Sequence, residues 1–135
     1  MITIKTTDLE NRLSQNEEFD EELIKQNPAP DFYLLMDSLL KERNMKRSDL
    51  ILHLNFERTY GYQILNGTRI PTKKQIILIG LYMGLSTEQV QQLLKICNRE
   101  CLYARNIEDA KVIFALEHNY TYEDALKFIY YPDEI

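Results

Sequence analysis

Residues 46–67 read KRSDLILHLNFERTYGYQILNG. Leu50 and Leu54 stand four apart and share one helical face, and Asn55 follows where the chain must turn. Asparagine tolerates the left-handed backbone that a sharp helix exit needs. From Glu57 to Leu65 the spacing predicts a second helix with Gly61, Ile64 and Leu65 on its inner side, and Asn66-Gly67 stops it. Two short helices and a tight turn make a helix-turn-helix layout.

Moving outward, Leu35, Met36, Leu39 and Leu40 recur at helical spacing behind Asp31, a plausible N-cap. Downstream, Thr72 is suited to cap a helix whose Ile76, Ile79, Leu81 and Met83 read as core. Ser86 with Gln89 forms a capping box ahead of Val90, Leu93 and Leu94. Five helices thus end near Cys97. Beyond them, Asn106 with Asp109 starts a helix holding Ala110, Ile113, Phe114 and Leu116, which His118-Asn119 ends. Thr121 with Asp124 starts another, containing Ala125, Leu126 and Ile129, and two helices joined this closely should pack as antiparallel neighbours. The first 27 residues are polar, with an acidic block from Glu17 to Glu22 and a short helix containing Leu9 and Leu13 that Thr7 is placed to cap. They read as an arm, followed by Pro28-Ala29-Pro30 as a stiff linker. The expected organisation is an acidic arm and linker over 1–30, a helix-turn-helix domain over 31–97 and a helical hairpin over 98–135.

Three runs inside the central segment carry a likeness. LLKERNMKRSDL (39–50), ILNGTRIP (64–71) and PTKKQIILIGLYMGLS (71–86) mark a match that runs without a gap from about residue 32 to 97. This half of the chain resembles the Cro/repressor-like helix-turn-helix family, often called the XRE family, whose hallmark Ile-Glu-Asn-Gly-Lys-Arg-x-Pro is similar to residues 64–71. The resemblance implies an all-α fold: a five-helix lambda-repressor-like bundle, here with a C-terminal helical hairpin and an acidic N-terminal arm. Two positions depart from the family. Where it has Ala and a branched Ile or Val at the contact between the two motif helices, this chain has Ile51 and Gly61. Exchanging large for small across one contact roughly conserves volume, the change a core tolerates best. A glycine inside the second helix costs about 1 kcal/mol relative to alanine.

The resemblance also implies double-stranded DNA as partner, read in the major groove by a homodimer, and it assigns roles. Arg47 would grip a phosphate at the start of the first motif helix. Glu57, Arg58, Thr59, Tyr60 and Gln63 would form the exposed side of the recognition helix, with Arg58 suited to a guanine edge, Gln63 to an adenine edge, and Thr59 or Tyr60 to a thymine methyl or a phosphate. Thr68 and Arg69 would meet the backbone from the following loop. For Tyr60 the competing expectation is packing against the domain body, and for Arg58 it is an ion pair with Glu57 or Asp49.

The net charge of -5 at first argues against nucleic acid. Residues 1–30, 31–97 and 98–135 carry -4, +3 and -4, so the helix-turn-helix segment is the basic part of the chain. Tyr103, Tyr120, Tyr122, Phe128, Tyr130 and Tyr131 crowd the hairpin. They fit either a dimer or partner surface or the closing of the bundle's hydrophobic end. Two functions therefore stand side by side: a DNA-binding transcriptional regulator, repressor-like, and a protein-interaction module of the same fold that binds a protein partner through its acidic arm and tyrosine-rich hairpin.

Other classes find little support. No run approaches the roughly 18 apolar residues of a membrane span and the polar start lacks a signal peptide's apolar region, so a cytoplasmic protein without a membrane partner is expected. Cys97 and Cys101 lack any Cys-x-x-Cys, and His53 and His118 are the two histidines, which favours reduced structural thiols over metal. There is no phosphate loop, nucleophile elbow or metal-binding histidine pair, so neither enzyme activity nor a cofactor is expected.

Overall fold

The computed structural model describes residues 6–26 and 31–131. Among them regular structure is entirely helical. The chain divides into a unit ending at Pro30 and a unit beginning at Asp31; Pro28-Ala29-Pro30, read above as a linker, lies outside the described residues.

In the first unit, α1 spans Thr6–Gln15 and α2 spans Glu21–Lys25. Thr7 lies inside α1, so it is not the cap expected of it. The acidic block is partly helical. Asp20 caps α2 by accepting from the Glu22 amide at 3.1 Å, which places Glu21 and Glu22 at the positive end of the helix dipole.

The second unit holds α3 (Phe32–Glu42), α4 (Arg47–His53), α5 (Arg58–Leu65), α6 (Lys73–Met83), α7 (Thr87–Ile96), α8 (Ile107–Glu117) and α9 (Tyr122–Tyr130). The N-terminal signals act where the sequence puts them. Asp31 accepts from the Tyr33 amide, Thr72 and Gln75 form a reciprocal capping box, as do Ser86 and Gln89, and Asn106 and Thr121 cap α8 and α9. Four of the exits share one device. Asn44, Asn55, Asn98 and Asn119 all have positive φ, and each is followed by a backbone bond back into its helix, from Met45 to Leu40, Phe56 to Ile51, Arg99 to Leu94 and Tyr120 to Ala115. This is the Schellman geometry, with asparagine in the place glycine usually takes.

One hydrophobic core runs through α3–α9. It joins Met36, Leu50, Ile64, Ile76 and Leu93 of the bundle to Leu102, Val112, Leu116, Ala125 and Ile129 of the segment beyond residue 97. The extension is therefore part of the same body, and the expected break at residue 97 is not a break in the core. Two polar ties fix the connecting loop: Gln91 exchanges both amide bonds with the Leu102 backbone, and the Arg99 guanidinium donates to the Pro71 carbonyl at 2.9 Å.

The inner face of α8 keeps Leu116 of the residues read from the sequence and adds Asp109. Asp109, Val112, Ala115 and Leu116 are buried, while Ala110 and Ile113 are half-buried and Phe114 is 45% exposed. Both sets fit a helical stripe, but only the observed one puts Asp109 inside. Lys73 makes that possible by placing its ammonium 3.0 Å from the carboxylate. Of the aromatic set, Tyr120, Tyr122, Phe128 and Tyr130 pack on the core, whereas Tyr103 and Tyr131 remain exposed. Most of these rings thus close the bundle end.

Candidate nucleic-acid interface

The α4–α5 pair is held together by Leu50 and Ile51 from one side and Gly61, Ile64 and Leu65 from the other, all buried. A Cβ placed on Gly61 would lie 2.9 Å from Ile51 Cγ1 and 3.2 Å from Phe56 Cβ. Ile51 therefore fills the space a side chain at position 61 would take, the exchange expected from the sequence.

Glu57 is exposed, as expected, and it is the N-cap of α5. Its carboxylate accepts from the Thr59 amide at 3.1 Å and the Tyr60 amide at 2.8 Å. Those bonds, first Tyr60 and then Thr59, hold its pKa below the ordinary glutamate value. A depressed folded pKa contributes order that is present above the unfolded value of 4.5 and is lost as pH falls through the lower folded value. Acidification should accordingly shift the Thr59 and Tyr60 amide NMR resonances with a midpoint below 4.5. Glu57→Gln should abolish that titration, and a midpoint unchanged by the substitution would show that the cap is not its cause.

The remaining sequence-predicted residues fall into two sets. Arg58 and Thr59 are exposed on the first turn of α5, and Arg58 has no carboxylate at ion-pair distance among the described residues. Both expected rivals for it are engaged elsewhere, Glu57 in its cap and Asp49 with the Lys46 amide. Tyr60, Gln63 and Arg69 instead form a cluster. Arg69 Nε donates to Gln63 Oε1 at 2.7 Å, its guanidinium lies 5.3 Å from the Tyr60 ring centre, and the Tyr60 hydroxyl accepts from Gln75 of α6 at 3.1 Å. Thr68 donates its hydroxyl to Asn66 Oδ1 at 2.7 Å, rigidifying the loop after α5.

Arg47 is placed at the start of α4, yet its charge is already partly met, while its Nε and Nη2 are buried without a hydrogen-bond partner. Nη1 lies 3.2 Å from Asp37 Oδ1, the guanidinium sits 4.6 Å over the Tyr33 ring, and the side chain is only 24% exposed. Asp37 in turn holds Lys41 at 3.0 Å, and that bond, with Arg47 next, keeps its carboxyl below the usual aspartate pKa against some desolvation. Sequence reasoning missed Tyr33 and Asp37 because both belong to α3. Lys46, one residue earlier, is exposed and lacks an ion pair among the described residues.

Between α4 and α5, beside Arg58, opens a largely apolar notch of about 310 Å³ with Ile51, Leu52, Phe56 and Tyr62 in its walls. Leu52 is 74% exposed there. Cys97 and Cys101 are free thiols, and burial pushes the Cys97 thiol up. Among the described residues no group of three or more His, Cys, Asp or Glu is placed to hold a metal ion, and no helix is long and apolar enough to cross a membrane. Comparison of the chain with protein-family models, curated proteins and solved structures found no match.

Proposed function

We propose that this chain is a cytoplasmic, sequence-specific DNA-binding transcriptional regulator of the Cro/repressor-like class. In this proposal its five bundle helices take the lambda-repressor-like arrangement, and a homodimer presents α5 to the major groove. The observation that carries it is the first turn of α5, where Arg58 and Thr59 are exposed and Arg58 is unpaired while its acidic neighbours are consumed as caps. An exposed guanidinium on a presented helix is the commonest reader of a guanine edge, and the apolar notch beside it offers contact for a thymine methyl. Gln63 and Arg69 act as a pair, so an adenine contact by Gln63 uses the amide nitrogen left free by its bond to Arg69. Lys46 takes the larger share of phosphate contact, because Arg47 must first leave Asp37.

Selection from a random duplex library, followed by titration at two salt concentrations, tests this. A two-fold symmetric enriched site, with half-sites about one helical turn apart, is expected from a dimer. Arg58→Ala should relax one base position by about 1–3 kcal/mol, whereas Lys46→Ala should weaken all duplexes alike and reduce the salt slope by about one. Absence of enrichment by folded protein sinks the proposal.

A second reading, a protein-interaction module of the same fold, is favoured by Arg47 being held at Asp37 and by Leu52 standing exposed in an apolar notch. It predicts no duplex enrichment, together with loss of a protein partner on Leu52→Asp.

A further inference from the structure

A second cavity, of about 360 Å³, lies where the first turn of α6 meets the start of α8 and the end of α9. Its buried wall includes Ile77 and Asp109, with Tyr130 half-buried beside them. Within it, Lys73 and Asp109 neutralise each other at 3.0 Å, and Asp109 also accepts from the Tyr103 amide at 2.9 Å. What remains is an unbalanced set of exposed charges. Lys74 lies 4.6 Å over the Tyr130 ring, and neither it nor Glu100 nor Glu108 has an oppositely charged partner at ion-pair distance among the described residues. The Tyr130 hydroxyl is buried with no hydrogen-bond partner. Burial first, then the nearby Glu108 carboxylate, pushes that phenol up to about 12, so it stays protonated and able to donate.

These groups narrow the ligand. The volume is at the small end of the roughly 300–1,000 Å³ typical of ligand sites. The two free carboxylates disfavour a phosphate, the free Lys74 ammonium disfavours a polyamine, and the charged lining disfavours a purely apolar molecule. One free cation, two free carboxylates and a hydroxyl in need of an acceptor match a molecule with both an anionic and a cationic end. We propose that this cavity binds a free α-amino acid, its carboxylate taken by Lys74 and the Tyr130 hydroxyl and its ammonium by Glu100 and Glu108 beside the Tyr103 ring.

The site adjoins the candidate interface. Lys73 and Lys74 stand inside the capping box made by Thr72 and Gln75, and Gln75 also donates to the Tyr60 hydroxyl of α5. A ligand on Lys74 therefore acts on the turn that tethers α5. That regulatory consequence rests on the DNA-binding proposal; ligand binding itself does not.

The test titrates the nitrogen-15-labelled full chain with glycine, L-glutamate, L-arginine and L-phenylalanine at millimolar concentration, alongside putrescine, methylamine and acetate. At least one amino acid should give saturable shifts at the amides of Lys74, Glu100, Tyr103 and Glu108, larger than those of any amine or acid alone. Lys74→Met and Glu108→Gln, both at exposed positions, should each weaken binding about tenfold. Tyr130→Phe should also weaken it while leaving the thermal midpoint unchanged or higher, since it deletes an unpartnered hydroxyl. A purely structural tyrosine would not give that split. No saturable shift with any amino acid, equal shifts with an amine alone, or undiminished binding by Tyr130→Phe overturns the proposal. None of these outcomes depends on whether the chain binds DNA.

Discussion

Gly61→Val is expected to destabilise the fold by about 1–3 kcal/mol, although it replaces a glycine within a helix. The local effect runs the other way, since removing a helical glycine gains up to about 1 kcal/mol. Packing decides the sign. A Cβ at position 61 meets Ile51 Cγ1 at 2.9 Å and Cγ2 at 3.1 Å, and Phe56 Cβ at 3.2 Å, so the added atoms have no free volume. Ile51 is 5% exposed and cannot swing into solvent without opening the α4–α5 contact. Ile51→Ala alone should cost about 2–5 kcal/mol by leaving a cavity. The double variant moves the bulk back across the contact and should lose much less than the sum. Urea denaturation of the four proteins, with the slope checked for constancy, measures this. Losses that add within about 0.5 kcal/mol would show that the two positions do not share one space.

Asp109→Ala is expected to cost about 3 kcal/mol, because it leaves the Lys73 ammonium half-buried without its counter-charge. The carboxylate is 10% exposed and also receives the Tyr103 amide, so the substitution strands a second donor. Asp109→Asn should recover part of the loss by keeping an acceptor for that amide. Lys73→Met with Asp109→Leu should be closer to wild type than either single change, since two apolar groups of similar size replace both ions together. Thermal unfolding of the series reads the outcome. A single Asp109→Ala loss under about 0.5 kcal/mol would mean that water, not the carboxylate, solvates Lys73.

The two variants mark the border between local and long-range information. Helix starts were legible because a cap is a contact over two or three residues. Asp31, Thr72, Ser86, Asn106 and Thr121 each accept from an amide two or three positions on. The exits at Asn55 and Asn119 were legible for the same reason, and Asn44 and Asn98 repeat the signal. Inner faces followed wherever the apolar stripe was unambiguous, as with Met36 and Leu39 or Val90 and Leu93. In α1 the local rule failed by a single residue, Thr7 falling inside the helix instead of before it.

The candidate interface was legible only as a set of positions. Arg58 and Thr59 are exposed, as the resemblance implied, but the fates of Tyr60 and Arg47 depended on partners. Glu57 caps its own helix end from an exposed position, a local contact that sequence reasoning missed, while Gln75 and Tyr33 reached Tyr60 and Arg47 from other helices.

By itself, then, the sequence determined the helices from α3 to α9, the caps at Asp31, Thr72, Ser86, Asn106 and Thr121, the exits at Asn55 and Asn119, the basic middle with acidic ends, and the exchange of bulk between Ile51 and Gly61. Tertiary structure alone decided that the segment after residue 97 shares the bundle's core, that α8 turns Asp109 rather than Phe114 inward, and that Lys73, Lys74 and Tyr130 meet around one cavity. The reason is range. Caps and helical stripes are set by neighbours within a few residues, whereas the burial of a charge depends on a counter-charge that, for Lys73 and Asp109, lies 36 positions away.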